Sequence, residues 1–395
     1  MPELKILGGQ PAFDVMQPIT RPTMPDYATV EPRLRAIYAS GMVTLDKNVR
    51  ELETRVAEYL GVRHVVATSS NSTGQMLVLR ALGLKGEVIV PSFSFCMSSH
   101  VLLWCGLEPV FVDCDEATCT VDPKRVEEAI TPRTVAILGV HIWGNPCRAD
   151  ELREIARRRG LRFITDAAQA MGSSLNGRKT GGLADAEVFS CSPTKILTCG
   201  EGGLVATNDD DIAAKVRKGR VYGLNPDYTC DLVGVNARMS EMNAALGVAS
   251  FEALEKNMAA RRARFAQYRA LVGAIPGVTL PQATPGAEPN GQYFAFYVDA
   301  DRFGLTRDEL YKVLALENIM PRKYFDPPLH KLAVNRDLRR HDLSVTERMC
   351  ARVLSVPLYS HSTPEMIATI SDAIARAQRS AGRVREALQR QPAAA

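Results

Sequence analysis

Lys195 stands in the stretch CSPTKILTCGEGGLVATND, which runs from Cys191 to Asp209. An apolar run, AEVFS, precedes it, and after the glycine-rich GEGG a second apolar run, LVAT, begins. A lysine between two expected buried strands must snorkel to water or carry out chemistry. Walled by apolar residues, its ammonium would be poorly solvated, and the neutral amine that attacks carbonyl carbons becomes accessible. Two other turns hold chemically active residues. In ATSSNSTGQM a strand is expected to end at Thr68 and a helix to begin near Thr73, with Ser69, Ser70, Asn71, Ser72 and Thr73 crowding the helix start. Such a terminus can bind an anion through free amides and hydroxyls, or simply be capped by those side chains. In RFITDAAQA, Asp166 directly follows an apolar run and is expected to start a small-residue helix. It can serve as a cap or as a fixed carboxylate in a ligand crevice, and Gln169 belongs to the same cap or the same crevice.

The elements that position these turns repeat along the chain. Between about residues 61 and 207, short β-branched runs (HVVAT, EVIV, PVFVD, TVAILGV, RFIT) alternate with helical patterns. Continuous apolar strands separated by helices predict a mostly parallel sheet covered on both faces. Ligands of such sheets bind at the carboxyl ends of the strands. Beyond Asn236 one or two long helices are expected, interrupted only by Gly247, and AIPGV and PQATPGAEPNG then break the pattern. Alternating and amphipathic segments follow, which predicts a smaller α+β C-terminal domain. The expected division is 1–250 for an N-terminal segment with the large domain and 251–395 for a connecting helix with the small one. QRQPAAA reads as a frayed tail.

Composition sets bounds. The 395 residues are 46% hydrophobic and 23% charged, ordinary for a globular protein. The net charge of +4 argues against nucleic acid as a partner, and the basic groups RRAR and RRR lie in helical stretches as solvated faces. Nine cysteines show no CxxC or zinc spacing, so no metal is expected and the thiols are read as reduced. No apolar run approaches a membrane span, and the start of the chain has no signal-peptide core, so a cytoplasmic protein is expected.

Taken together, an anion cradle, a carboxylate and an amine at strand ends of one sheet are what pyridoxal 5′-phosphate requires: a phosphate site, an acid for its ring nitrogen and a Schiff-base lysine. Phe95, in PSFSF at the next strand end, is a candidate to stack on the ring or an ordinary core residue.

The chain resembles the DegT/DnrJ/EryC1/StrS sugar aminotransferases through NSTGQM, EVIVPSFSF, PVFVDCD, GVHIWGNP, ITDAAQAMGS, DAEVFSCSPTKILTCGEGGLVATND, GVNARMSEMNAALG, PRKYFDPPLHK and RVLSVPLYS. The resemblance implies a fold-type I, α/β aminotransferase with pyridoxal phosphate cycling through its pyridoxamine form. It implies Lys195 as the Schiff-base residue, Asp166 on the pyridinium nitrogen and Gln169 against the ring hydroxyl. Ser72, Thr73 and Ser190 would hold the phosphate, Phe95 would stack, and Asn236 would reach the phosphate of the neighbouring subunit in a homodimer with shared active sites. L-glutamate is the implied donor and a nucleotide-linked keto-deoxy sugar the acceptor, with C4 of dTDP-4-keto-6-deoxyglucose most similar in motif. A C3-keto sugar or keto-cyclitol is the alternative acceptor. A lyase or desulfurase using Cys191 or Cys199, and an idle regulatory relative, are the other classes considered. The sequence departs from the pattern at VTLDKNVRELE, where Asp46 and Lys47 replace a glycine-containing turn, and at Ser72, where glycine or alanine is usual. Arg238 and Arg322 are candidates for the donor carboxylate or for structural ion pairs. His330 lines the substrate mouth or packs against the prolines before it.

Overall fold

The computed structural model describes residues 3–390. The tail expected at 389–395 therefore lies mostly outside the described residues, and its first two residues, Gln389 and Arg390, close a helix that starts at Ala381.

The central sheet grows from the apolar runs. Strands β1 (His64–Thr68), β2 (Glu87–Pro91), β3 (Glu108–Val112), β4 (Thr134–Val140) and β5 (Arg162–Asp166) alternate with helices. A two-residue hairpin follows, β6 (Ser174–Leu175) and β7 (Arg178–Lys179), and then β8 (Ala186–Ser190) and β9 (Gly203–Thr207) complete the sheet. The order is β1-β9-β8-β5-β4-β2-β3. From β3 to β8 all neighbours are parallel. Strand β9 pairs antiparallel with both β8 and β1, so β1 points the same way as β8. The carboxyl ends of β1, β5 and β8 thus share one edge of the sheet. Gly203 faces Thr68 on one side and Ser190 on the other, which draws the GEGG turn to that edge.

Both faces are covered. One packs Val66, Val188 and Val205 against the helices Asn71–Ala81 and Asp210–Gly219. The other packs Ala67, Phe189 and Leu204 against the helices Lys47–Leu60 and Glu241–Glu252. The expected long helical region is two helices, but the break falls at Ala253, not at Gly247. Gly247 is buried inside the first of them, where a Cβ would lie 2.5 Å from the Cys199 sulfur. Its role is close packing, and neighbouring alanines carry the helix past it.

A second sheet, β10 (Val278–Thr279), β12 (Phe294–Val298) and β13 (Val353–Val356), forms with Leu254–Val272 and Pro364–Arg379 the C-terminal core; β11 (Ala287–Glu288) pairs instead with β6. The start of the chain belongs to this core as well. Leu4 is buried in it, and the Glu317 carboxylate accepts the amides of Lys5 and Ala12 at 2.6 and 2.9 Å. Among the described residues no helix is long and apolar enough to cross a membrane.

Candidate active site

A cavity of about 330 Å³ opens at the shared strand edge, and Ser72, Phe95, Asp166, Gln169, Ser190 and Lys195 all line it. The structure therefore brings together six of the eight predicted site residues. Thr73 and Asn236 are not among its lining residues.

The first wall is the start of the helix Asn71–Ala81. Ser70 is extended and caps it: its hydroxyl accepts the Thr73 amide at 3.1 Å, and Thr73 Oγ1 accepts the Ser70 amide at 3.1 Å. The helix begins two residues earlier than predicted because this reciprocal cap fixes Asn71 as its first residue. The Thr73 amide and hydroxyl, assigned by resemblance to a phosphate, are engaged in that cap here. Ser70, Asn71 and Ser72 line the cavity at this helix start. A Cβ on Gly203 would lie 2.4 Å from the Ser70 carbonyl, so only glycine lets β9 approach this turn.

Asp166 ends β5 and is buried at 6% exposure. No helix follows it. The chain continues in tight turns, with the Ala170 amide bonded to Ala167 O at 2.9 Å, and the Ala168 amide donates to Asp166 Oδ1 at 3.0 Å. The expected helix fails because Gly172, at φ +81°, and the cramped return into β6 leave too little chain. Oδ2 accepts the Ser98 hydroxyl at 3.2 Å, and Asn71 Nδ2 lies 3.5 Å from Oδ1 while donating to Val188 O at 2.7 Å. Every donor to this carboxylate is neutral, and no cation pairs with it among the described residues. Beneath it, the His141 amide donates to Asp166 O at 3.1 Å. The buried His141 ring accepts the Cys147 amide at Nδ1, so Nε2 carries the proton and donates to Glu187 at 2.9 Å. Glu187 also accepts Thr165 Oγ1 and the Gly181 amide, at 2.8 and 2.7 Å.

Lys195 lies in the turn after β8, half-buried, and its amine makes no hydrogen bond or ion pair among the described residues. Its Nζ lies 5.7 Å from the centroid of the Tyr293 ring. Burial pushes the Tyr293 phenol up, but the Lys195 ammonium, the Thr194 bond and the Arg261 guanidinium outweigh burial and hold it below its ordinary value. Gln169 accepts the Trp143 amide at Oε1, 2.7 Å away, which leaves its NH₂ as the group free to donate. Phe95 is 52% exposed and sits 6.2 Å from Phe325, centroid to centroid.

The other candidates sort plainly. Neither Arg238 nor Arg322 forms an ion pair among the described residues: Arg238 donates to Asn236 Oδ1 at 3.1 Å, and Arg322 is exposed with Nη2 3.7 Å from Met320 Sδ. His330 is buried and bonded to Ser92 at 2.7 Å and Glu347 at 3.0 Å, away from the cavity. Cys191 and Cys199 are buried, and the Cys199 contact together with burial pushes the Cys191 thiol well up, which opposes a sulfur-acceptor role. At the departing turn, the Glu241 carboxylate takes the amides of Asp46, Asn48 and Val49 at 2.6, 2.8 and 3.1 Å, so this helix start is filled by the protein's own anion. Sequence reasoning placed Asn71 at the helix start but not against Asp166, and it missed Ser98 beside Asp166 and Tyr293 in the cavity wall; the last two carry no local signal.

The residues fit a cationic heterocycle with an aldehyde and a phosphate. A buried carboxylate lacking a counter-ion suits a ring N–H, an amine unpartnered among the described residues suits a carbonyl, and a helix start rich in hydroxyls suits an anion. The fold and this donor set define a fold-type I, pyridoxal-phosphate-dependent aminotransferase. Residues 27–375 match the DegT/DnrJ/EryC1/StrS aminotransferase family, and the chain belongs to it. It is 32% identical to a dTDP-4-amino-4,6-dideoxy-D-glucose transaminase of Escherichia coli, over 90% of this chain and 96% of that one. It is 37% identical to the GDP-perosamine synthase of Caulobacter vibrioides, over 79% and 85%. The solved structure of DesI in the presence of its TDP-sugar product superposes with a TM-score of 0.92 at 40% identity, covering 98% of both chains.

Proposed function

We propose that this protein transfers an amino group from L-glutamate to a nucleotide-linked keto-deoxy sugar, at C4 of dTDP-4-keto-6-deoxyglucose. The reading is carried by one observation: the unpartnered Lys195 amine and the buried, cation-free Asp166 carboxylate line the same cavity. Likeness to an enzyme named for a dTDP-linked 4-amino sugar, and to one solved in the presence of its TDP-sugar product, supports the acceptor.

Bound pyridoxal phosphate supplies an aldehyde conjugated to a ring that withdraws electrons. The residues of this chain do the rest. Asp166 would keep the ring nitrogen protonated, and Ser98 and Asn71 hold its carboxylate in place. Lys195 would hold the aldehyde carbon at rest and, once released, take a proton from the donor's α-carbon and deliver it to the aldehyde carbon. Ser72, Ser190 and the first helical amides would hold the phosphate, joined by Thr73 if its cap opens. Gln169 would donate its NH₂ to the ring hydroxyl, and Phe95 would cover the ring face. Asn236 is exposed, near the exposed Tyr222 and Val233, as suits a residue completing a second subunit's site in a homodimer.

The family also contains enzymes named for C3 amination, so a C3-keto sugar is the second reading. Purified protein with glutamate and dTDP- or GDP-linked 3- and 4-keto sugars decides between them. A product amine at C4 of the dTDP sugar, located by NMR, supports the proposal, and amination only at C3 overturns its position.

A further inference from the structure

A second cavity, of about 270 Å³, lies behind the active-site wall, between the helix Leu254–Val272 and the loop that follows β10. Tyr293 borders both cavities. The helix presents Arg262, Phe265 and Arg269 to it, a spacing of i, i+3 and i+7 that puts all three on one face. Trp143, Phe294 and Leu280 supply apolar walls.

Two features of this cavity are unsatisfied. Arg262 donates only to the carbonyls of Pro289 and Gly172, at 3.3 Å each, and Arg269 only to Pro281 O at 3.3 Å. No carboxylate pairs with either guanidinium among the described residues, although each carries five N–H donors. The Trp143 indole N–H is buried without a partner among the described residues, and the residue is 5% exposed. Buried donors are nearly always paired, so this one points to an acceptor that the chain itself does not provide.

We propose that the cavity is a second ligand site, separate from the amino-transfer site, for a small aromatic anion: one planar ring carrying a carboxylate. Aromatic and aliphatic walls select the ring. The paired guanidinium groups at the rim select the carboxylate, which they can grip in bidentate fashion. The volume suits one ring with a short arm, since about 150 Å³ already admits benzene. A ligand there rests against the far side of Tyr293, whose near side meets Lys195, and against Trp143, whose amide holds Gln169.

The test uses Trp143 as its own reporter. The chain has two tryptophans, and Trp104 is 74% exposed, so the Trp104→Phe holoenzyme emits from Trp143 alone. Phenylacetate, phenylacetamide and inorganic phosphate are titrated against it. Phenylacetate should change the emission saturably, with the amide and phosphate at least about tenfold weaker. The exposed pair Arg262→Gln/Arg269→Gln should weaken phenylacetate by about tenfold or more, while the Lys pair at the same positions keeps most of the binding. Three results overturn the proposal: no saturable change with phenylacetate, equal response to phenylacetamide or phosphate, or binding indifferent to the two glutamines. The last would place the ligand in the amino-transfer site instead.

Discussion

The Ser98 hydroxyl donates to Asp166 Oδ2 at 3.2 Å and is itself 2.7 Å from the Ser94 hydroxyl, so a chain of two serines fixes the site's buried acid. Neither serine needs to touch a ligand to matter. With Asn71 on the other oxygen, they determine which lone pair of Asp166 faces the cavity.

Ser98→Ala should therefore lower activity by about tenfold, the worth of one hydrogen bond to a charged group. The loss should come with a shift in the absorption band of bound cofactor, because the acid that holds its ring nitrogen is less well oriented. Ser98→Thr should recover most of both. A fall in activity with an unchanged spectrum would assign Ser98 to packing.

Tyr293 should behave as a partner of the Lys195 charge. Burial opposes its ionisation, and the ammonium is the first of the groups that hold its phenol below the ordinary value. Ultraviolet titration of the cofactor-free protein should show a tyrosine ionising earlier than the rest, and Tyr293→Phe should remove it. In Lys195→Ala that ionisation should move up in pH. If it stays in place, the two groups do not interact.

The buried His141–Glu187 pair ties β4, β5 and β8 together under Asp166. Glu187→Ala leaves the His141 N–H, the Thr165 hydroxyl and two amides unpaired and should cost about 3–5 kcal/mol. Urea unfolding at fixed protein concentration measures it. Glu187→Gln, which keeps one acceptor, should cost less.

Acid sensitivity should arise partly at His330. Burial pushes its imidazole below the ordinary value, Lys331 and Arg340 add to this, and Glu347 opposes it. The unfolded chain then binds the proton more readily. Its stabilising share is complete above the unfolded value near 6.5 and is lost as pH falls through the lower folded one. The melting temperature should fall over that window, and His330→Gln should flatten the fall. An unchanged slope in the variant assigns the acid loss to other groups.

Much of the site was legible because its residues flank strand ends. Asp166 and Ser190 close their strands, and the Ser70–Thr73 run opens a helix, so local pattern alone placed them on the sheet's carboxyl edge. What was hidden depends on distant segments meeting. Ser98 reaches Asp166 only through the crossover after β2, and Tyr293 reaches the cavity only through the approach of the C-terminal sheet. The chain start gave no sign that Glu317, some 300 residues away, would capture its amides. The helix expected after Asp166 failed for a similar reason. Alanines favour helix locally, but the chain must turn back into β6 within a few residues, and tertiary closure wins.

The account rests on Lys195 as the residue that holds the cofactor. Borohydride reduction of the yellow holoenzyme, followed by peptide mass mapping, tests this most directly. The added pyridoxyl phosphate mass should sit on Lys195 alone and vanish in Lys195→Ala. A label on any other lysine, or a trapped adduct that survives in that variant, would contradict it.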